Sequence, residues 1–225
     1  MVEKRNIIII PARGGSKRLP QKNILQLKKK PLLCYSIDYA KKNKEIADKI
    51  VVSTDDSQIK ELALSKGIEV IDRPKSLSGD KATTVSALRH VLESIDSQFD
   101  NVILLQVTNP LRPVNMLKEA YETYIEKGSD SLMGVSRNND KLGKIIDNRY
   151  VPFNYEIGQR SQDLEPLYYE NGLLYITKSD LILQDKILGN KNFPFVVDHP
   201  FAKVDIDTIE DFKYAEFVIE NYKDE

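Results

Sequence analysis

The chain has 225 residues, with 33 Lys and Arg against 34 Asp and Glu, a formal net charge of −1, and 41% hydrophobic and 30% charged residues. This is the composition of a globular protein with one sizeable core, and the near-zero charge argues against a nucleic-acid binder, which carries a basic excess on one face. A lone cysteine, Cys34 in an apolar stretch, excludes an intrachain disulfide, and with two histidines no structural zinc site is expected.

Met1 to Asn6 leads into only four apolar residues before Pro11, short of a signal peptide or a membrane span. The expectation is a cytoplasmic protein with a small-molecule partner and neither a nucleic-acid nor a membrane partner. Ile7–Ile10 shows no polar alternation, as for a parallel strand covered on both faces. Pro31 opens a helix over Leu32–Lys42, and Lys49–Ser53 is a second buried strand. Thr54-Asp55-Asp56 caps a helix from Ser57 to Lys66, which Gly67 stops. Glu69–Ile71 (strand), Thr84–Ser94 (helix), Asn101–Gln106 (strand), Asn115–Lys127 (helix) and Ser131–Val135 (strand) follow. Such alternation implies an α/β fold with a mainly parallel central sheet, right-handed crossovers and helices on both faces.

From Arg137 to Glu170 the rhythm fails: polar clusters, two prolines, several tyrosines and short apolar runs replace it. A structureless stretch of this length belongs to a binding loop or an arm, so residues 137–170 are expected to cover the site and pack on a second subunit, within one domain spanning 1–225. Leu173–Ile176 returns to strand character, Phe201–Ile206 reads as a last strand, and Asp207-Thr208 caps a helix over Ile209–Tyr222.

The chemistry begins after the first strand, in PARGGSKRLPQKN. Gly14 and Gly15 offer backbone freedom that lets N–H groups approach phosphate oxygens, and Arg13, Lys17, Arg18 and Lys22 bring four cations to the carboxyl end of the strand, where open α/β sheets bind ligands. The spacing fits neither the P-loop nor the dinucleotide fingerprint. A nucleoside triphosphate is the simplest ligand. The second signal is VDIDT: on a strand, Asp205 and Asp207 share one face about 7 Å apart, and such carboxylates hold Mg²⁺ together with substrate phosphates. An isolated D-x-D would be a helix cap and a solvated charge; beside a triphosphate loop it becomes a metal site. Arg73, Asp80, Thr84, Gln106 and the Tyr169-Glu170-Asn171-Gly172 run lie where loops leave strands or enter helices, and Gln106, after an apolar run, needs a polar partner.

The spans IIPARGGSKRLPQKNI, VVSTDD, RPKSLSGDKATT, LLQVTNPLR, YENGLLYI and VDIDT occur in the order of the CMP-sialic acid synthetases (N-acylneuraminate cytidylyltransferases), which the chain resembles over nearly its full length. The resemblance implies a Rossmann-like nucleotidyltransferase fold, a homodimer with a dimerisation arm, Mg²⁺, CTP and a nine-carbon 2-keto-3-deoxy sugar acid. It places Ala12, Arg13, Gly14, Ser16, Lys17, Lys22 and Asn23 around the CTP phosphates and ribose, and Arg73, Asp80, Ala82 and Thr84 around the base. Gln106 and Tyr175 would hold the sugar acid, Asp205 and Asp207 the metal, and Arg160 and Lys144 would reach the partner subunit's site. Arg13 and Lys17 would neutralise departing pyrophosphate, and Arg160 would take the substrate carboxylate. His90 and His199 lie outside the matched spans, so no general base stands out.

Three positions depart from the family pattern. Asn109 replaces the serine of Q-x-T-S-P, which points to an altered sugar pocket; Ala82 stands where some members carry a hydroxyl; Tyr169-Glu170 replaces Arg-Pro, with one cation fewer near the sugar carboxylate. The sister enzymes acting on an eight-carbon acid usually carry Q-G-D-x-P, and sugar-1-phosphate nucleotidyltransferases open with L-A-A-G-x-G-T-R. Both are absent, and a non-catalytic nucleotide binder would not need the charged set.

Overall fold

A computed structural model describes residues 5–223; residues 1–4, where the reading of the amino terminus begins, lie outside them. In chain order the elements are β1 (Asn6–Pro11), the short ribbon β2 (Gln26–Leu27) and β3 (Lys30–Pro31), α1 (Leu32–Lys42), β4 (Lys49–Thr54), α2 (Ser57–Ser65), β5 (Glu69–Asp72) and α3 (Thr84–Ser94). Then come β6 (Asn101–Leu104), α4 (Met116–Glu126), β7 (Ser131–Asn138), β8 (Gly143–Ile146), β9 (Arg149–Pro152), β10 (Leu167–Lys178), α5 (Ser179–Leu183), β11 (Asn192–Val196) and α6 (Ile209–Asn221).

Seven strands form one sheet in the order β11-β7-β10-β6-β1-β4-β5. Every pairing is parallel except those of β10, which runs against both β6 and β7. The unbroken isoleucine run explains why β1 is central. Ile7 and Ile9 join Leu88 and Val91 of α3 and Ile182 of α5, whereas Ile8 and Ile10 join Leu33 and Ile37 of α1, Leu117 of α4 and Val218 of α6. All four isoleucines are fully buried, each worth roughly 2 kcal/mol of transfer free energy. From β1 the chain steps outward to β4 and β5, then returns to the other side of β1 as β6. The loops after β1 and β6 therefore diverge and leave a crevice at the carboxyl ends of the strands.

Two expectations are corrected. Phe201–Ile206 is not a strand: Pro200–Lys203 forms a 3₁₀ turn, with Pro200 in its first turn and His199 Nδ1 accepting from the Phe201 N–H at 3.1 Å, and irregular backbone carries Asp205 and Asp207. Nor is 137–170 structureless. β7 and β10 extend into it as a paired stem (Arg137 opposite Tyr168), and β8 and β9 form a hairpin whose turn residues Asp147 and Asn148 have φ 49° and 61°. The edge strand β11 was not foreseen, because Pro194 interrupts its pattern; an edge position tolerates the missing donor.

The register of β10 breaks between Glu170 and Tyr175, where Gly172 has φ +73° and a Cβ would lie 2.6 Å from Asn109 Oδ1. Gly172→Ala is expected to cost about 2–3 kcal/mol from strain and clash together, lowering Tm by roughly 5–10 °C. Gly158→Ala, at φ +93° with open space around it, provides the comparison in a thermal melt. A Gly172→Ala loss no larger than the Gly158→Ala loss would show that the contact with Asn109 carries no cost.

Candidate active site

The crevice beyond β1 and β6 is lined by Arg13, Ser16, Lys22 and Asn23 from the first loop, Arg73, Asp80, Ala82 and Thr84 from the β5–α3 connection, and Gln106, Thr108 and Asp207. Residues far apart in sequence thus share one cleft. Its central tie is Lys22, only 8% exposed, whose Nζ donates to Asp207 Oδ1 at 2.7 Å; Arg18 holds Oδ2 of the same carboxylate. On the opposite wall Lys17 pairs with Asp80, and Arg13 lies 3.8 Å from Asp80 while donating to the Gly79 carbonyl at 2.9 Å. The Lys17 bond, with the nearby Arg13 charge, holds the Asp80 carboxyl below its ordinary range. All four loop cations therefore have carboxylate neighbours, exposed ones for Arg13 and Lys17 and a half-buried one for Arg18 and Lys22.

The glycines act differently from the sequence expectation. Neither Gly14 nor Gly15 sits in the left-handed region; Gly14 is required because a Cβ would come within 2.8 Å of Asp56, whose side chain caps α2 by accepting from the Gln58 and Ile59 N–H groups. The Gly14 N–H donates to Asp55 Oδ1 at 3.0 Å. Ala12 is buried and continues the sheet by donating to the Ser53 carbonyl, and Asn23 Nδ2 fixes the Arg13 carbonyl at 2.8 Å. Arg73 is also buried. It binds Ser53 through Nε at 3.1 Å and Nη2 at 2.6 Å, tying the end of β5 to that of β4, and burial lowers its guanidinium pKa.

Beside Gln106 stands a second group. Tyr175, 2% exposed, donates its hydroxyl to Glu170 and also contacts the Gln106 side chain; burial, then Glu170, pushes the phenol well above its ordinary range, so it is a donor and not a base. Asp205 is raised by burial of its carboxylate and by the charge of Asp207, while the neighbouring Thr108 side chain acts in the opposite direction. Gln106 lines the cleft, and Tyr175 and Asp205 stand behind the lining, touching Gln106 and Thr108 respectively. The structure does not bring Arg160 or Lys144 to the cleft: Arg160 binds Asp163 in its own turn at 2.8 Å, and Lys144 lies over the Phe153 ring, both on the outlying hairpin region. Asn109, expected to alter the sugar pocket, is 1% exposed and turned onto backbone carbonyls.

Sequence reasoning missed Arg112. Its guanidinium is buried and spans three elements: Nε to the Leu173 carbonyl at 2.8 Å, Nη1 to Ser36 Oγ at 3.1 Å and Nη2 to the Gln106 carbonyl at 2.6 Å. Burial pulls it down to about 10. Nothing in Pro-Leu-Arg marks this arginine as internal; only the need of the broken β6 and β10 backbones for donors does.

A switch-point cleft with paired cations and carboxylates on a mostly parallel sheet defines a nucleotide-transferring α/β protein. The cytidylyltransferase family model matches residues 7–224. The pseudaminic acid cytidylyltransferase of Campylobacter jejuni is 35% identical over 223 residues, covering 95% of this chain and 96% of that protein. The N-acylneuraminate cytidylyltransferase of Streptococcus agalactiae is 36% identical over 213 residues, covering 92% of this chain and 51% of that protein. A solved CMP-2-keto-3-deoxy-manno-octonic acid synthetase complexed with CTP shares the fold, with TM-score 0.70 at 15% identity over 96% of this chain and 98% of that one. The chain belongs to the cytidylyltransferase family, and it is an enzyme of that class.

Arg112→Met would leave the Gln106 and Leu173 carbonyls without these donors. A loss of about 3 kcal/mol is expected, read as a Tm lowered by roughly 6–12 °C; an unchanged melt would show the bracket to be dispensable.

Proposed function

We propose that the protein transfers CMP from CTP to the anomeric hydroxyl of a nine-carbon 2-keto-3-deoxy sugar acid and releases pyrophosphate. The observation that carries this reading is the convergence of the loop cations, Asp207 and Gln106 in one cleft, closed by the Lys22–Asp207 bond. Sugar-acid cytidylyltransferases among the relatives, including those named for pseudaminic and N-acylneuraminic acids, support the acceptor class.

In this reading the triphosphate replaces Asp80 as the partner of Arg13 and Lys17. The cytosine lies toward Arg73, Ala82 and Thr84, where Thr83 caps α3 by accepting from the Ser86 N–H. Gln106 and Tyr175 orient the acid so that its hydroxyl oxygen attacks the α-phosphorus in line. The new O–P bond forms as the bond to the β-phosphate oxygen breaks, pyrophosphate leaves with that electron pair, and the hydroxyl proton passes to solvent. Arg13 and Lys17 stabilise charge on the leaving group, so catalysis rests on positioning and electrostatics. Asp205 and Asp207 would hold a magnesium ion: burial, and after it the charge of Asp207, disfavours the ionised Asp205 carboxylate, and a divalent cation would relieve both. Bound there, it would screen the phosphate charge.

The exposed apolar side chains of the 137–170 segment support a homodimer. Ile145 (80% exposed), Ile157 (78%), Phe153 (61%) and Tyr150 (54%) form apolar surface that water solvates poorly. A second copy covers it, and each arm carries Arg160 and Lys144 to the other subunit's acceptor pocket, where Arg160 grips the carboxylate with its forked donors. Among the described residues no helix is long and apolar enough to cross a membrane. A cytoplasmic setting, where CTP is made, fits the reaction.

Pyrophosphate release from CTP is expected only when a sugar acid is present, with the best acid found from a panel of N-acetylneuraminic, deaminated, legionaminic, pseudaminic and eight-carbon acids. Asp207→Asn should lower the rate by about 10²-fold or more; release that ignores the acid would overturn the reading. Arg160→Ala and Asp207→Asn chains, each nearly inactive, should regain about a quarter of wild-type activity when refolded together in equal amounts, since half the dimers carry one intact composite site. No recovery on mixing would exclude the crossed arm.

A further inference from the structure

Three segments meet at the acceptor side of the cleft: the loop after β6, the irregular turn inside β10, and the backbone carrying Asp205. One buried side chain joins all three. Asn109 Nδ2 donates to the Asn171 carbonyl at 3.1 Å and to the Val204 carbonyl at 3.0 Å, while Oδ1 accepts from Thr108 Oγ1 at 3.1 Å. Asn171 precedes Gly172, which approaches the same amide closely enough to forbid a Cβ. Val204 precedes Asp205, and the Ile206 N–H beyond it donates to the Thr108 carbonyl at 2.8 Å. Asp205 is therefore held from both sides by the Thr108–Asn109 pair, whose loop begins at Gln106, and Tyr175 lies three residues beyond the turn that Asn109 fixes.

We propose that Asn109 is the positioning residue of the acceptor half-site: without touching substrate, it sets the direction of the Asp205 carboxylate relative to Gln106 and Tyr175. The proposal deepens the functional reading above and rests on it for the identity of the acceptor. The bonding pattern in this chain uses every atom of an amide. Two carbonyls are served by the two N–H bonds of one planar nitrogen while the oxygen accepts a third bond. A serine hydroxyl has one proton and a shorter reach, so it can satisfy one carbonyl at most. An aspartate keeps the shape but offers no donor when ionised. The CTP side of the cleft, built from the first loop and the β5–α3 connection, has no bond to this amide.

The test compares Asn109→Ser, Asn109→Ala and Asn109→Asp with wild type, measuring kcat, KM for CTP, KM for the acid, the Mg²⁺ concentration giving half-maximal rate, and Tm. Tyr124→Phe, which removes a buried hydrogen bond to Asn101 at the opposite end of the sheet, serves as the destabilised control. Expected in the Ala and Asp variants is a rise of about tenfold in both the acid KM and the Mg²⁺ requirement, with KM for CTP within about twofold; the Ser variant falls between. Lower Tm with those constants unchanged, as in the control, would overturn the proposal, as would failure of the Ser variant to fold. If wild type is inactive with every acid, the acceptor reading fails. Mn²⁺ binding in the presence of CTP, followed by electron paramagnetic resonance, then decides the Asn109 proposal separately: weakened Mn²⁺ binding in the Asp variant supports it and unchanged binding overturns it.

Discussion

The site depends on a hydrogen-bonded ion pair between two residues 185 positions apart, Lys22 and Asp207. An ammonium this buried is costly unless it is paired, so the first loop and the last one each require the other. That requirement brings Arg18 onto the same carboxylate and closes the crevice left where β1 and β6 part company. The fold makes the crevice, and the ion pair turns it into a cleft with two walls.

Charge in the cleft is arranged for exchange. Arg13 and Lys17 face Asp80, Arg18 and Lys22 hold Asp207, and the Gly14 N–H points at Asp55. The Lys17–Asp80 partners are solvent-exposed and contribute little to stability, so a triphosphate can displace that carboxylate at small cost, whereas the buried Lys22 bond resists exchange. The two walls differ accordingly: the Asp80 side is loosely paired in solvent and the Asp207 side anchors.

Much of this was legible in the sequence where one force dominates. An unbroken isoleucine run has only one good environment, and both sheet faces cover it. Asp56 and Thr208 announce helix starts because free N–H groups need acceptors, and both side chains cap as read. The ordered blocks marked residues that do gather in the cleft. Legibility failed where the decisive partner was distant. The 201–206 segment carries apolar residues at strand-like spacing, but its hydrogen bonds go to Thr108 and Asn109 instead of a neighbouring strand. Arg112 is internal because two interrupted strands lack donors, a need no local pattern records. Arg160 and Lys144 could not be placed at the cleft by a single chain, since their expected partner is another copy.

The reversed strand β10 connects these failures. Entering from the exposed hairpin, it passes Glu170, turns irregularly at Gly172 and delivers Tyr175 beside Gln106 before continuing as a regular strand along β6. A regular strand would have fixed Tyr175 by register alone. The break gives up that register, and side chains restore it: Arg112 on the Leu173 carbonyl, Asn109 on the Asn171 carbonyl, and Asn171 itself, whose oxygen accepts from the Leu173 N–H while its nitrogen binds Ser136. Irregular backbone at this point thus exchanges ladder hydrogen bonds for side-chain ones. Tyr175 consequently lies on a single chain path with the hairpin stem, so the pairing of β7 with β10 on either side of the break bears directly on where its hydroxyl points.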